Sequence, residues 1–214
     1  MNISIIVDNP RSWFLPFAQQ LCDLLTGEHH AEIRGAAGRV PPGNEIAFFL
    51  SCEEKVTPEL LARSRHNIVV HASDLPKGKG MSPLTWQILE GKNDIPICLF
   101  EAVAAIDAGD VYLKDTLHLQ GTELLGEMQS LLGGKIIEMC ERFARNYPNI
   151  LVQARAQVGI ESRYRRRSPT DSRLDPNKTI VEQFNLLRVV DNKRYPAYFE
   201  WKGRKFVIKI NGEV

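Results

Sequence analysis

Short runs of apolar residues recur along the chain and predict the strands of a buried sheet. They lie within residues 2–7, 31–34, 46–50, 68–70 and 95–100. The first of these runs is nearly continuous rather than alternating with polar residues, which is typical of a strand covered on both faces. A sixth run, 111–119, alternates imperfectly and is predicted to be another strand.

Between these runs, apolar residues return at helical spacing or follow helix-start signals. A Ser or Thr followed by Pro is such a signal, because the hydroxyl can cap the first turn and Pro is tolerated there. The predicted helices are 13–25 after Ser12, a helix from Thr57-Pro58, one from Ser82-Pro83 to about Glu90, and 122–146, interrupted at Gly133-Gly134. Strands that alternate with helices predict an α/β fold with a doubly wound, mostly parallel sheet.

The composition changes at about residue 162, where a run of arginines begins. Residues 179–190 carry apolar side chains on one helical face, and 197–201 and 205–210 predict a β-hairpin joined at Lys202-Gly203. We therefore predict a main domain over residues 1–160 and a C-terminal arm, helix plus hairpin, over residues 161–214.

Composition places the chain among ordinary globular proteins. It has 214 residues, 43% of them hydrophobic and 25% charged, and a net charge of +1, which gives no general attraction to nucleic acid or to an anionic membrane. The opening apolar run is too short for a signal peptide, and no run approaches the roughly 20 residues of a membrane span. Four scattered cysteines without a C-x-x-C pair predict reduced thiols, so we expect a cytoplasmic protein.

Two polar residues stand where chemistry collects in such sheets. His71 follows the strand at 68–70, and Asp107 opens the turn after the strand at 95–100. Loops at the carboxyl ends of parallel strands supply the reactive side chains of α/β enzymes, so we predict that these two residues form a pair. Taken alone, each has an ordinary structural explanation, because a strand-end His and an Asp-Ala-Gly turn are common. No G-x-G-x-x-G follows the first strand, which argues against a dinucleotide-binding dehydrogenase.

The motifs around this pair resemble a known family. They are His71-Ala-Ser-Asp-Leu-Pro76, Gly80-Met-Ser-Pro83 and Asp107-Ala-Gly109. This arrangement resembles the core of the formyltetrahydrofolate-dependent formyltransferases, which include methionyl-tRNA, glycinamide ribonucleotide and sugar N-formyltransferases. The stretch SDLPKGKGMSPLTWQILEGKNDIP looks closest to small formyltransferases of pseudaminic acid and related amino sugars.

The resemblance implies a formyl transferase that uses His71 as its catalytic histidine and Asp107 as its catalytic aspartate. The reaction needs a proton acceptor for the attacking amine, a proton for the leaving nitrogen and a donor to the developing oxyanion. The family's asparagine, two residues before the histidine, is replaced here by Val69. Asn67 is the substitute candidate, although strand periodicity places it one repeat further from His71.

The resemblance also implies a pocket for 10-formyltetrahydrofolate between two loops, with no metal expected. Ser51, Cys52 and Val56 would line one side, and Glu101 and Val103 the other. For Cys52 the alternative is a merely buried thiol.

Four residues are candidates for contact with the acceptor. Lys77 and Lys79, in a Gly-rich loop before a helix, could bind a phosphate, and Arg163 begins the basic run. Trp13 stands at the first strand-to-helix turn. The alternatives are a solvated basic surface for the cations and ordinary packing for the tryptophan.

The expected acceptor is the amine of a small nucleotide-linked amino sugar, as in a pseudaminic-acid-type pathway. Methionyl-tRNA or glycinamide ribonucleotide formylation, and a noncatalytic folate-binding relative, remain as alternatives. Neither nucleic acid nor a membrane is an expected partner. The aromatic residues Tyr198, Phe199 and Trp201 lead us to expect that the hairpin packs on the main domain or on a second subunit of a homodimer.

Overall fold

The computed structural model describes residues 1–213, which contain ten strands and five α-helices. The strands are β1 (Asn2–Ile6), β2 (His30–Arg34), β3 (Asn44–Phe49), β4 (Ser64–His71), β5 (Lys79–Gly80), β6 (Asp94–Glu101), β7 (Val111–His118), β8 (Arg163–Tyr164), β9 (Ala197–Trp201) and β10 (Arg204–Ile208). The helices are α1 (Leu15–Thr26), α2 (Pro58–Leu61), α3 (Pro83–Leu89), α4 (Leu125–Asn146) and α5 (Phe184–Arg188). Among the described residues, no helix is both long and apolar enough to cross a membrane.

Six strands form one central sheet in the order β2-β1-β3-β4-β6-β7. The pairs β1–β2, β1–β3 and β3–β4 are parallel, whereas β4–β6 and β6–β7 are antiparallel. The α/β class with a mostly parallel sheet is thereby confirmed. The direction of β6, however, differs from the arrangement assumed for the His71–Asp107 pair, because Glu101 at its carboxyl end lies opposite Ile68 rather than beside His71.

The main core fills one face of this sheet. Ile68 is fully buried there and Val70 packs against the same cluster, together with apolar side chains from α1, α3 and α4. Side chains alternate along a strand, so Asn67, Val69 and His71 point to the opposite face. There Val69 packs against two smaller apolar clusters. The strand thus separates the structural core from the face that carries His71.

Several helix boundaries differ from those predicted from the sequence. The helix that begins after Thr57 has only four residues, and α4 begins at Leu125 rather than at Thr122. Helix α4 also runs without interruption through Gly133 and Gly134. Gly133 lies where α4 meets α1, and a Cβ there would lie 2.6 Å from the ring of Phe17. The glycine therefore permits close helix packing instead of breaking the helix.

The C-terminal arm contains the predicted hairpin, formed by β9 and β10. Lys202 and Gly203, which join the strands, both have positive φ, as a tight two-residue hairpin turn requires. The helix predicted over 179–190 is reduced to a 3-10 turn at Val181–Gln183 followed by α5. Arg188 of α5 is buried and donates a hydrogen bond to Asn93 Oδ1 at 2.6 Å, which ties the arm to the main domain.

The glycine pair of α4 allows a matched test of this packing. We expect Gly133→Ala to destabilise the protein by about 1–3 kcal/mol, because the added methyl group must displace Phe17. Gly134 has no atom within 4 Å of a Cβ position, so Gly134→Ala should stabilise the helix by up to about 1 kcal/mol. Urea unfolding of both variants measures the difference, and equal effects of the two substitutions would contradict the packing described here.

Candidate active site

His71 ends β4 and is 9% exposed. Its Nε2 lies 2.9 Å from the carbonyl oxygen of Gly78. A carbonyl can only accept a hydrogen bond, so Nε2 carries the proton of this contact. In the neutral imidazole the lone pair is then on Nδ1. The Gly78 carbonyl therefore selects the tautomer, which leaves Nδ1 as the nitrogen able to accept a proton.

The loop that carries Gly78 is held by the first residues of the C-terminal arm. Ser162 accepts hydrogen bonds from two backbone amides of the loop. The Gly78 amide donates to Ser162 Oγ at 2.9 Å, and the Lys79 amide donates to the Ser162 carbonyl at 3.0 Å. The short strands β5 and β8 then pair side by side. Gly80 has φ +99°, and a Cβ there would lie 2.4 Å from the carbonyl oxygen of Tyr164, so only glycine fits.

Asp107 reaches the same loop from the other side. Its Oδ2 accepts a hydrogen bond from the Gly80 amide at 2.8 Å. The segment from 102 to 110 folds back from the end of β6, and Gly109 lies so close to Glu101 that a Cβ would be 1.8 Å from its carbonyl oxygen. Within residues 1–213 no hydrogen bond joins His71 and Asp107 directly. The main chain from Gly78 to Gly80 binds both and so brings them into one site.

The direct role expected for Asn67 is not supported by its position. It lies four residues before His71, about 13 Å away at the usual rise of a strand. Its Nδ2 donates to the carbonyl of Leu61 at 3.0 Å, and the residue is 5% exposed. Because β4 pairs with β3 in regular register, no bend brings Asn67 toward the histidine.

The residues expected on the first side of a folate pocket are largely occupied with each other. Ser51 has φ +55° and its Oγ accepts a hydrogen bond from Ser12 Oγ at 3.1 Å. The Cys52 thiol donates to the carbonyl of Ile6 at 3.3 Å. Cys52 and Val56 border a cavity of about 60 Å³. Small-molecule sites usually enclose some 300 Å³ or more, so this cavity alone does not hold a folate.

On the second side, the Glu101 carboxylate belongs to a polar cluster. It accepts hydrogen bonds from Tyr112 Oη at 2.8 Å and from the Asn67 amide, and it lies 3.1 Å from His66 Nδ1. Burial, with the nearby Glu101 charge, raises the pKa of Tyr112, which therefore stays protonated and keeps donating. The Glu101 side chain is thus a structural anchor at the base of the Asp107 segment.

The segment that follows Glu101 is more accessible. Val103 is 44% exposed and Ile106 47% exposed. None of the residues from Val103 to Asp107 donates a backbone hydrogen bond to another residue of the described chain. These amides are available to solvent or to a ligand.

The basic residues predicted to contact the acceptor are not equivalent. Lys79 is 5% exposed, and its Nζ lies 2.7 Å from Glu161 Oε2, so its charge is already compensated. The other oxygen of Glu161 accepts from Arg163 Nε at 2.7 Å. The structure thus gives Lys79 a partner within the chain, and its predicted contact with the acceptor stays a prediction. Lys77 is exposed and makes no ion pair within residues 1–213.

Trp13 is half-buried and packs edge-to-face on Phe14 and Phe17, with ring centroids 5.5 and 5.9 Å away. The structure thus accounts for this side chain by packing. Its predicted contact with the acceptor stays a prediction.

Sequence reasoning missed the residues that hold the site together. Ser162 and Glu161 belong to no motif, and the only signal was an acidic residue just before the arginine run. Their roles depend on contacts with residues some 80 positions earlier in the chain. Within residues 1–213 no three potential metal-ligating side chains converge.

Comparison with known proteins defines the class of this fold. No protein-family model matches the chain. Among solved structures, a methionyl-tRNA formyltransferase from Clostridium thermocellum superposes with a TM-score of 0.79 at 22% identity, covering 100% of this chain and 94% of that one. A sugar N-formyltransferase from Shewanella sp FDAARGOS_354 has a TM-score of 0.71 at 14% identity, covering 100% and 98%. HypX from Aquifex aeolicus in complex with tetrahydrofolic acid has a TM-score of 0.73 at 16% identity, covering 98% and 37%.

Curated relatives agree with this class. The chain is 29% identical to methionyl-tRNA formyltransferase from Malacoplasma penetrans (strain HF-2) over 126 residues, 56% of this chain and 38% of the relative. It is 27% identical to the enzyme of the same name from Lactococcus lactis subsp. lactis (strain IL1403) over 151 residues, 70% and 47%. In both cases the chain spans less than half of the relative's length. The chain therefore has the fold of the formyltransferases and is similar in sequence to methionyl-tRNA formyltransferases over part of their length.

The chemistry of Cys52 gives a test of this region of the site. Burial, reinforced by the Asp8 carboxylate, raises the pKa of the Cys52 thiol to about 12. At pH 8 about one molecule in 10,000 would then carry the thiolate, so alkylation by iodoacetamide should be slow and should accelerate as the pH rises toward 12. Peptide mapping after timed alkylation measures it, with urea-unfolded protein as the fast control. Alkylation of folded Cys52 at the unfolded rate would contradict the burial.

Proposed function

We propose that the protein transfers a formyl group from 10-formyltetrahydrofolate to the amine of a small acceptor, a nucleotide-linked amino sugar of the pseudaminic acid type. One observation carries this proposal. The Gly78 carbonyl and the Gly80 amide hold His71 and Asp107 at one point of a formyltransferase fold, within the motif that resembles the family core.

The tautomer of His71 suits the proton transfers that the reaction requires. In formyl transfer a C–N bond forms to the acceptor amine, the C–N10 bond breaks, and one proton moves from the acceptor nitrogen to N10. Nδ1 of His71 can accept the proton from the acceptor amine and donate it to N10 of the folate. The hydrogen bond from Nε2–H to the Gly78 carbonyl fixes the ring. The Asp107 carboxylate, bound to the same loop as His71, adds a negative charge to the site, which favours the imidazolium that forms.

The residues around Val69 fit a folate. Val69 contributes to the apolar surface on this face of β4, next to Val56 and Leu61. The segment from Val103 to Asp107 adds half-exposed apolar side chains and unpaired amides. A pterin ring would pack against apolar side chains and bind hydrogen-bonding groups at its edge, and these residues offer both. When bound, the folate supplies the formyl group.

A small acceptor is supported by charge and by the presence of sugar N-formyltransferases among the similar structures. Lysines and arginines number 27 against 26 acidic residues, so the surface lacks the positive excess that phosphate contacts with nucleic acid favour. The Shewanella sugar N-formyltransferase is covered over 98% of its chain, and the methionyl-tRNA formyltransferase from Clostridium thermocellum is covered over 94%, so coverage does not separate the two acceptors. Methionyl-tRNA is the second candidate, because the curated relatives carry that name.

Replacing the histidine tests the mechanism. His71→Gln can still donate to the Gly78 carbonyl but cannot exchange protons near neutral pH. Turnover should fall by about 100-fold or more, while folate binding measured by fluorescence titration stays within a few-fold. His118, whose side chain is 73% exposed, provides the control, since His118→Ala should keep the wild-type rate. Wild-type turnover in His71→Gln would rule out the proposed role.

Direct assay separates the two acceptors. We expect turnover with 10-formyltetrahydrofolate and at least one nucleotide-linked amino sugar, followed by release of tetrahydrofolate and by mass spectrometry of the formylated product. Methionyl-tRNA should react far more slowly. Efficient formylation of methionyl-tRNA, with no reaction across the sugar panel, would replace the proposed acceptor.

A further inference from the structure

Gln157 lies directly against the turn that presents Asp107. The segment that carries it crosses the beginning of β7, where Arg155 and Val111 exchange backbone hydrogen bonds of 2.8 and 2.9 Å. This pairing places the Gln157 side chain so that Nε2 donates to the carbonyls of Asp107 and Gly109, both at 2.9 Å. One amide therefore bridges the two ends of the Asp107-Ala-Gly109 turn.

The orientation of this amide is fixed by its partners. Reversing it would place Oε1 against two carbonyl oxygens, which cannot donate. In the orientation that satisfies the turn, Oε1 is buried and has no hydrogen-bond partner within residues 1–213. A buried acceptor without a partner lowers stability. The Gln157 side chain thus supplies donors to both carbonyls of the turn, while its own Oε1 is left without a donor.

The turn needs such support because of its backbone. Asp107 has φ +51°, in the left-handed region that side chains other than glycine adopt at an energetic cost. No other side chain of the described residues donates to the carbonyls of Asp107, Ala108 or Gly109. Without the Gln157 amide, the two carbonyls lose their common donor and the turn is free to relax. Asp107 Oδ2 would then leave the Gly80 amide.

We propose that Gln157 is the positioning residue for Asp107. Its two donated hydrogen bonds hold the strained turn, and through that turn they hold the carboxylate against Gly80, in the loop that also binds His71. The consequence for catalysis rests on the proposed formyl transfer, whereas the consequence for the geometry of Asp107 does not.

Two variants distinguish donation from packing. Gln157→Ala removes the side chain, and Gln157→Glu keeps its shape but replaces the donor by an acceptor that faces two carbonyl oxygens. Gln153 is exposed and borders the same surface cleft, so Gln153→Ala is the matched control. Amides of helix α4, one face of which packs on the main core, report whether each variant keeps its fold.

The readout that needs no activity is hydrogen–deuterium exchange at the Gly80 amide. We expect exchange about tenfold faster in both Gln157 variants, because two hydrogen bonds that support its acceptor are lost, and unchanged exchange in Gln153→Ala. Exchange in α4 should stay at the wild-type level. Wild-type protection of Gly80 in Gln157→Glu would overturn the proposal, because shape alone would then suffice.

Kinetics add the catalytic consequence. In an active wild type, kcat should fall about tenfold or more in both Gln157 variants with a smaller change in KM for folate. The loss should not add to that of Asp107→Asn in the double variant, since both substitutions remove the same positioned carboxylate. Full additivity would overturn the proposal. If the wild type formylates no acceptor, the proposed function fails, and Gly80 exchange still decides the role of Gln157.

Discussion

The site depends on three residues of main chain. Gly78 offers its carbonyl to His71, and Gly80 offers its amide to Asp107. The two side chains do not bind each other, so their relative position depends on the position of the loop that binds both. A paired backbone segment is a more rigid reference than a side chain, because it has no side-chain rotamers to fix. In this chain β5 gains that pairing from β8.

The pairing of β5 with β8 also explains why the basic residues of the loop are distributed as they are. Lys79 points inward and must have a counter-ion, since an unpaired buried cation is strongly disfavoured. Glu161, immediately before Ser162, supplies it, and also binds Arg163. The carboxylate and the hydroxyl that hold the loop are therefore neighbours in sequence. A basic loop beside a basic run looks like an anion site in the sequence, but its most buried cation serves the architecture.

What the sequence could predict follows from the range of the interactions involved. The apolar strands, His71 at a strand end and the Lys202-Gly203 hairpin are consequences of local patterning, and all three are found. The direction of β6, the partner of Lys79 and the length of α2 depend on where distant segments pack, which no local pattern records. The position of Asn67 could be predicted only in part. Periodicity correctly placed it on the His71 face, and only the regular register of β4 with β3 showed that it stays remote.

The division at residue 160, drawn where composition changes, falls between two segments that both contact the candidate site. Gln157 lies on one side and holds the Asp107 turn, while Ser162 and Tyr164 lie on the other and hold the Gly78–Gly80 loop. Residues 157–164, eight in all, therefore make both sets of contacts. Any movement of this stretch would shift the acceptor of the His71 proton and the turn of Asp107 together. The two catalytic candidates are therefore linked through hydrogen bonds to one segment, residues 157–164, that contains neither of them.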